Sequence, residues 1–67
     1  MDAIKEMLRA VEVAEWLDVR PYRVYELVRQ GRIPVVRLGR QVRFSRNALE
    51  AWAAAGGTAE EDRERGA

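Results

Sequence analysis

The chain has 67 residues, a formal net charge of +1 at pH 7, and no cysteine or histidine. This length allows one small domain with a limited core. The absence of both residue types excludes disulfides, the usual zinc ligand sets, a histidine general base and a thiol nucleophile. We therefore expect no enzyme, no cofactor and no metal site. The first residues, MDAIKEMLRA, carry Asp2 and Glu6 where a signal peptide needs an apolar segment. We therefore expect a cytoplasmic protein without membrane contact.

The near-neutral total conceals three blocks of charge. Residues 20–46 contain eight arginines and one acidic residue, Glu26, whereas residues 1–19 and 47–67 each contain two basic and five acidic residues. The planar guanidinium of arginine suits phosphate groups and guanine edges. The middle block therefore indicates a polyanionic partner.

Two short helices are predicted in the first half of the chain. VEVAEWL, residues 11–17, has apolar residues at helical spacing, and this helix should start near Ala10. Three residues follow, enough only for a tight turn, in which Asp18 tolerates the left-handed conformation. Pro21 suits the first turn of a second helix, which runs through YRVYELVRQ and stops at Gly31.

The stretch VVRLGRQVRF, residues 35–44, predicts a two-stranded hairpin. We expect Val36 and Leu38 on the same face as Val42 and Phe44, packed on the core. Gly39-Arg40-Gln41 would close the hairpin, and Arg37 and Arg43 would project from the opposite face.

Ser45 is a plausible N-cap for a last helix, RNALEAWAAA, which should end at Gly56-Gly57. Trp16 and Trp52 are most simply core or near-core residues. TAEEDRERGA lacks apolar periodicity. The predicted organisation is therefore one domain over residues 1–55 and a disordered acidic tail over 56–67.

Two short helices joined by a three-residue turn, the second with a cationic outer face, make a helix-turn-helix, and the hairpin makes it a winged variant. The expected fold is mainly α with a small β-hairpin. The second helix would lie in the major groove and the wing near the adjacent minor groove or backbone. The base readers would be Pro21, Tyr22, Arg23 and Glu26; phosphate contacts would come from Arg20, Arg29 and Arg32; the wing would contribute Arg37, Gly39, Arg40, Gln41 and Arg43.

Each assignment has a structural competitor. Arginines on a helix often form only a solvated face, Tyr25 lies next to the buried stripe and fits core packing equally well, and Glu26 has arginine neighbours to pair with on its own helix. The excess of arginine over acidic residues favours nucleic acid for the block as a whole.

Residues 7–54 also resemble the excisionase-type helix-turn-helix family, distant kin of the MerR winged-helix proteins. The resemblance rests on VAEWLDV, VYELVRQGRIP and VVRLGRQVRFSRNALEAW. It implies a phage or plasmid excisionase, a recombination directionality factor that binds and bends attachment-site DNA and directs a tyrosine-type integrase toward excision. The implied DNA contacts are Arg20, Tyr22, Arg23, Arg29 and Arg40, and such a protein would act at the nucleoid of a bacterial host.

Two departures from the family pattern affect the start of the reading helix. Arg20-Pro21 stands where many members have a serine cap and a basic residue, and Asp18 replaces a common glycine.

One module of this size buries about 600 to 1,000 Å² on DNA, which is a small interface. Binding beside further copies of itself or beside an integrase would therefore strengthen its affinity for DNA. A small transcriptional regulator acting at a promoter is the nearest alternative. A protein-interaction or antitoxin-like module with a basic face is a third.

Overall fold

The computed structural model describes residues 6–58. The described residues form three helices, α1 (Ala10–Leu17), α2 (Pro21–Arg29) and α3 (Arg46–Ala54), and three short strands, β1 (Met7–Leu8), β2 (Val36–Leu38) and β3 (Gln41–Ser45). The strands make an antiparallel sheet in the order β1-β3-β2. This arrangement confirms the winged helix-turn-helix fold and adds β1, which was not predicted. Most of the predicted acidic tail, residues 59–67, lies outside the described residues.

A tight turn joins α1 to α2. Asp18 adopts the left-handed conformation, with φ 60°. Its backbone N–H donates to the carbonyl of Glu15 at 3.1 Å, and the N–H of Val19 donates to the carbonyl of Ala14 at 2.9 Å. These two bonds form a Schellman motif that satisfies the last carbonyls of α1. The turn was predicted correctly, with aspartate in the position that glycine usually fills.

The ends of α2 also follow the prediction. Pro21 is its first residue, where the missing N–H costs nothing. After the last residue, Gly31 has φ 68° and donates to the carbonyl of Val28 at 3.1 Å, while the N–H of Arg32 donates to the carbonyl of Leu27 at 2.9 Å. This second Schellman motif turns the chain back toward the core immediately after the helix.

The last helix is capped by Ser45, whose Oγ accepts a hydrogen bond from the N–H of Ala48 at 3.2 Å, as predicted. Trp52 Nε1 donates to the carbonyl of Arg32 at 3.1 Å, and Thr58 Oγ1 donates to the same carbonyl at 3.0 Å. The residues just after α3 are therefore attached to the domain by side-chain hydrogen bonds.

The core lies between the helices and one face of the sheet. Phe44 is fully buried on β3 opposite Leu8 on β1, so the unpredicted strand supplies part of the core. Trp52 packs against this core, as expected. Trp16 is 45 % exposed and lies beside the buried Leu8 and Leu49, so it is a near-core residue and not a core one. The buried apolar residues are Leu8, Ala10, Val13, Ala14, Val24, Leu27, Val28, Ile33, Phe44 and Leu49.

The hairpin register differs from the prediction by one residue. Leu38 pairs with Gln41, so the turn contains only Gly39 and Arg40, and Gln41 belongs to β3. Because side chains alternate along a strand, a shift of one residue moves every side chain of β2 to the other face. The predicted three-residue turn was therefore wrong, although the hairpin itself is present.

This register changes the roles of the β2 side chains. Val36 pairs with Arg43 and Arg37 pairs with Val42. Val36 and Leu38 therefore lie on the face away from the core and are 36 % and 54 % exposed. Their predicted role as core anchors is wrong: Val42 and Phe44 of β3, with Val35 just before β2, anchor the wing to the core.

Candidate nucleic-acid interface

The outer face of α2 is aromatic and cationic. Tyr22, Tyr25 and Arg29 are exposed and follow one another at spacings of three and four residues, so they lie along one side of the helix. Tyr22 is 64 % exposed and Tyr25 is 48 % exposed. Tyr25 therefore belongs to the surface rather than to the core, which decides the alternative that its sequence position left open.

An ion pair occupies another part of this face. Arg23 Nη1 lies 2.9 Å from Glu26 Oε1, and both side chains remain partly exposed. At this exposure the pair contributes little to stability, about 0.5 kcal/mol or less. Its effect is to orient the Arg23 guanidinium and to reduce the charge that Glu26 presents to an anionic partner.

The N-terminal end of α2 is open to solvent. Arg20, at the N-cap, has an extended backbone with φ −78° and ψ 150°, and Arg20, Pro21 and Tyr22 are all exposed. In a helix-turn-helix, this end of the second helix is the one that approaches base edges. The structure thus leaves Pro21 and Tyr22 fully accessible, and the other two predicted readers, Arg23 and Glu26, partly so.

The wing carries its cations on both faces. Arg40 and Gln41 are exposed at the turn, where Gly39 has φ 62°, as a two-residue hairpin turn with glycine first requires. Arg37 lies on the face of Val42 and Arg43 on the opposite face, so the prediction that they project together is wrong. Arg43 Nη1 donates to the carbonyl of Val42 at 2.7 Å, which holds its guanidinium close to the strand.

Arg32 does not belong to this surface. It is 4 % exposed and is followed by the buried Ile33. Its carbonyl accepts the hydrogen bonds of Trp52 and Thr58, which fix the segment against α3. The predicted phosphate contact of Arg32 is therefore wrong: the turn after α2 carries this residue inward, and its apolar stem packs in the interior.

A groove separates the helices from the wing and brings together residues that the sequence kept apart. Its walls include Arg9 and Val11 from the start of α1, Tyr25 from α2, and Arg40 and Arg43 from the wing. Arg9 was missed because it lies outside the arginine-rich block, in a segment that is acidic as a whole. Tyr25 was recognisable from its spacing to Tyr22 and Arg29, but nothing in the sequence pointed to Arg9.

Residues 7–57, more than half of the chain, match the family model for the helix-turn-helix domain. The chain belongs to this family. The family includes excisionase-like DNA-binding proteins. No curated protein and no solved structure gives a significant match.

Membership of the helix-turn-helix family explains the exposed cations of α2 and of the wing. In this family α1 and α2 are the two helices of the DNA-binding unit, and α2 is the recognition helix. The domain therefore binds DNA. Among the described residues, the exposed arginines are Arg20 and Arg29 at the two ends of α2, Arg37 and Arg40 on the wing, and Arg9 at the N-cap of α1. Within residues 6–58, no helix combines the length and the apolar character needed to cross a membrane.

Proposed function

We propose that the protein binds double-stranded DNA in a sequence-specific manner, with α2 in the major groove and the wing at the adjacent minor groove. One observation carries this proposal: the Tyr25 side of α2 and the Arg40 turn of the wing flank the same groove. Arg9, Arg40 and Arg43 line this groove together with Tyr25, so α2 and the cationic wing form one continuous surface. A duplex bound to α2 through that surface also meets the wing.

The proposed contacts divide by position on this surface. Pro21, Tyr22, Arg23 and Glu26 read base edges from the start of α2, and Arg20 and Arg29 bind phosphates that set the register. Gly39, Arg40 and Gln41 approach the minor groove, where a backbone without a Cβ allows close contact. Because Arg37 and Arg43 lie on opposite faces of the wing, they contact backbone on different sides of it, and Arg43 is one of the residues that line the groove.

Binding to a fluorescent duplex of mixed sequence, measured by anisotropy over a range of salt concentrations, tests the proposal. Each phosphate contact contributes about 0.9 to the slope of log K against log salt. Arg40→Ala should weaken binding to all sequences and reduce the slope by about 0.9, while its circular dichroism spectrum stays unchanged. Arg46→Ala is the control, because Arg46 lies on α3 in an ion pair with Glu50. Absence of binding by the unaltered protein at low salt would contradict the proposal.

We further propose that the protein acts as an excisionase, a recombination directionality factor that directs a tyrosine-type integrase toward excision in a bacterial cytoplasm. Two points support this role: the resemblance of residues 7–54 to excisionase-type proteins, and membership of a family that includes excisionase-like proteins. A domain of this size also gains affinity when further copies bind to adjacent sites, since its own interface with DNA is small. Cooperative binding of several copies would bend the attachment site and place an integrase beside them.

The corresponding experiment is excision of a plasmid-borne attachment site by a neighbouring integrase, with and without the protein. Footprinting and gel-mobility assays on circularly permuted fragments then measure cooperativity and bending. Excision that needs the protein, with several adjacent protected sites, supports the excisionase role. A single unbent site at a promoter, together with unchanged excision, would favour a small transcriptional regulator instead. Such a regulator would use the same DNA-binding surface.

A further inference from the structure

We propose that the groove between the wing and the two helices is a binding site for a phosphodiester of the DNA backbone, and that Arg9 and Tyr25 are contacts within it. This inference rests on the proposed docking of α2 and the wing on a duplex. It adds Arg9, the N-cap residue of α1, to the contacts proposed above for α2 and the wing. It also gives a role to the exposed tyrosine beside the wing.

The composition of the groove suits a phosphodiester. Three of the described residues that line it are arginines, Arg9, Arg40 and Arg43, and none of these described lining residues is acidic. Three like charges around one concave surface repel one another unless an anion lies between them. The guanidinium fork and the phosphate oxygens match in geometry and form charge-assisted hydrogen bonds.

The remaining walls fit the rest of a nucleotide backbone. Tyr25 is about half exposed and supplies a hydroxyl donor, while Val11, 48 % exposed, supplies an apolar surface for a deoxyribose. The groove has a volume of about 370 Å³. Because a water occupies about 30 Å³, this volume accepts a phosphodiester together with bridging waters.

The geometry of a duplex provides an independent reason. The major and minor grooves are separated by a sugar-phosphate strand, so a protein with one element in each groove must straddle that strand. The concave surface that lies between α2 and the wing is this groove. The strand therefore passes over Arg9 and Tyr25 when α2 and the wing are docked together.

The experiment compares Arg9→Gln with Arg46→Gln, which removes the same charge from a residue outside the groove. Affinity for a mixed-sequence duplex of about 30 base pairs, three helical turns, is measured between 50 and 200 mM salt. Loss of one phosphate contact reduces the salt slope by about 0.9. The ratio of unaltered to Arg9→Gln affinity should therefore shrink by about 3.5-fold over this range, and Arg46→Gln should show no such change.

A second variant, Tyr25→Phe, removes the hydroxyl of Tyr25 and keeps its ring. Tyr25→Phe should weaken binding at all salt concentrations without a change in slope, because a neutral donor releases no counterion. Both variants change exposed side chains, and circular dichroism checks that the fold is intact.

The groove is ruled out as a phosphate site if the unaltered protein binds DNA, Arg9→Gln behaves like Arg46→Gln, and Tyr25→Phe binds as tightly as the unaltered protein. That result leaves DNA binding by α2 and the wing in place. Failure of the unaltered protein to bind DNA would overturn both inferences, so the two outcomes are distinguishable.

Discussion

The hairpin register makes a sharp prediction for two valines in the wing. Val36 lies on the outward face of β2, whereas Val42 lies on the core face of β3 and packs against the buried residues. Replacing each by threonine keeps the size and the β-branch, so strand propensity changes little. Only the burial of the new hydroxyl differs between Val36→Thr and Val42→Thr.

The expected magnitudes follow from exposure. An exposed substitution away from special features changes stability by about 0.5 kcal/mol or less, and Val36→Thr belongs in this range. A buried hydroxyl without a partner costs about 1 to 3 kcal/mol. Since Val42 is partly buried, we expect Val42→Thr to lower the free energy of unfolding by about 1 to 2 kcal/mol.

Urea unfolding followed by tryptophan fluorescence measures this difference. With a slope of about 1 kcal/mol per molar urea for so small a domain, Val42→Thr should lower the midpoint by about 1 to 2 M. Leu38→Thr, at the 54 % exposed position of β2, is a second control and should resemble Val36→Thr. Equal losses for Val36→Thr and Val42→Thr would refute the two-residue turn, because both valines face the core only with a three-residue turn.

Three further predictions concern the turn, the C-terminal contact and the reading helix. Asp18→Gly should raise the free energy of unfolding by up to about 1 kcal/mol, because glycine adopts φ 60° without strain; a lower urea midpoint would contradict this. Trp52→Phe should lower the free energy of unfolding by about 1 kcal/mol, because the 3.1 Å hydrogen bond to the carbonyl of Arg32 is lost. Trp16→Phe should leave the free energy of unfolding unchanged in the same measurement. Glu26→Gln removes a carboxylate from the α2 face and should tighten binding to mixed-sequence DNA about fivefold, since unit charges 4 Å apart in water interact by about 1 kcal/mol; weaker binding in the anisotropy assay would show that Glu26 chiefly positions Arg23.

The sequence by itself determined the helices, their ends and the charge of the interface. These features depend on neighbouring residues: Pro21 opens α2, Ser45 caps α3, and Asp18 takes the left-handed turn without help from distant contacts. The arginine excess of residues 20–46 is likewise a property of composition. For these reasons the winged helix-turn-helix could be predicted from local patterns of residues alone.

Only the tertiary structure decided the register of the wing, the burial of Arg32 and the groove that contains Arg9. The pattern of Val36, Leu38, Val42 and Phe44 is the same for a two- and a three-residue turn, and packing of Phe44 and Val42 on the helices leaves β2 outside. Arg32 is buried in a segment whose carbonyl accepts a hydrogen bond from Trp52, twenty residues away in sequence. Contacts between distant segments set all three features, and no local pattern of residues records such contacts.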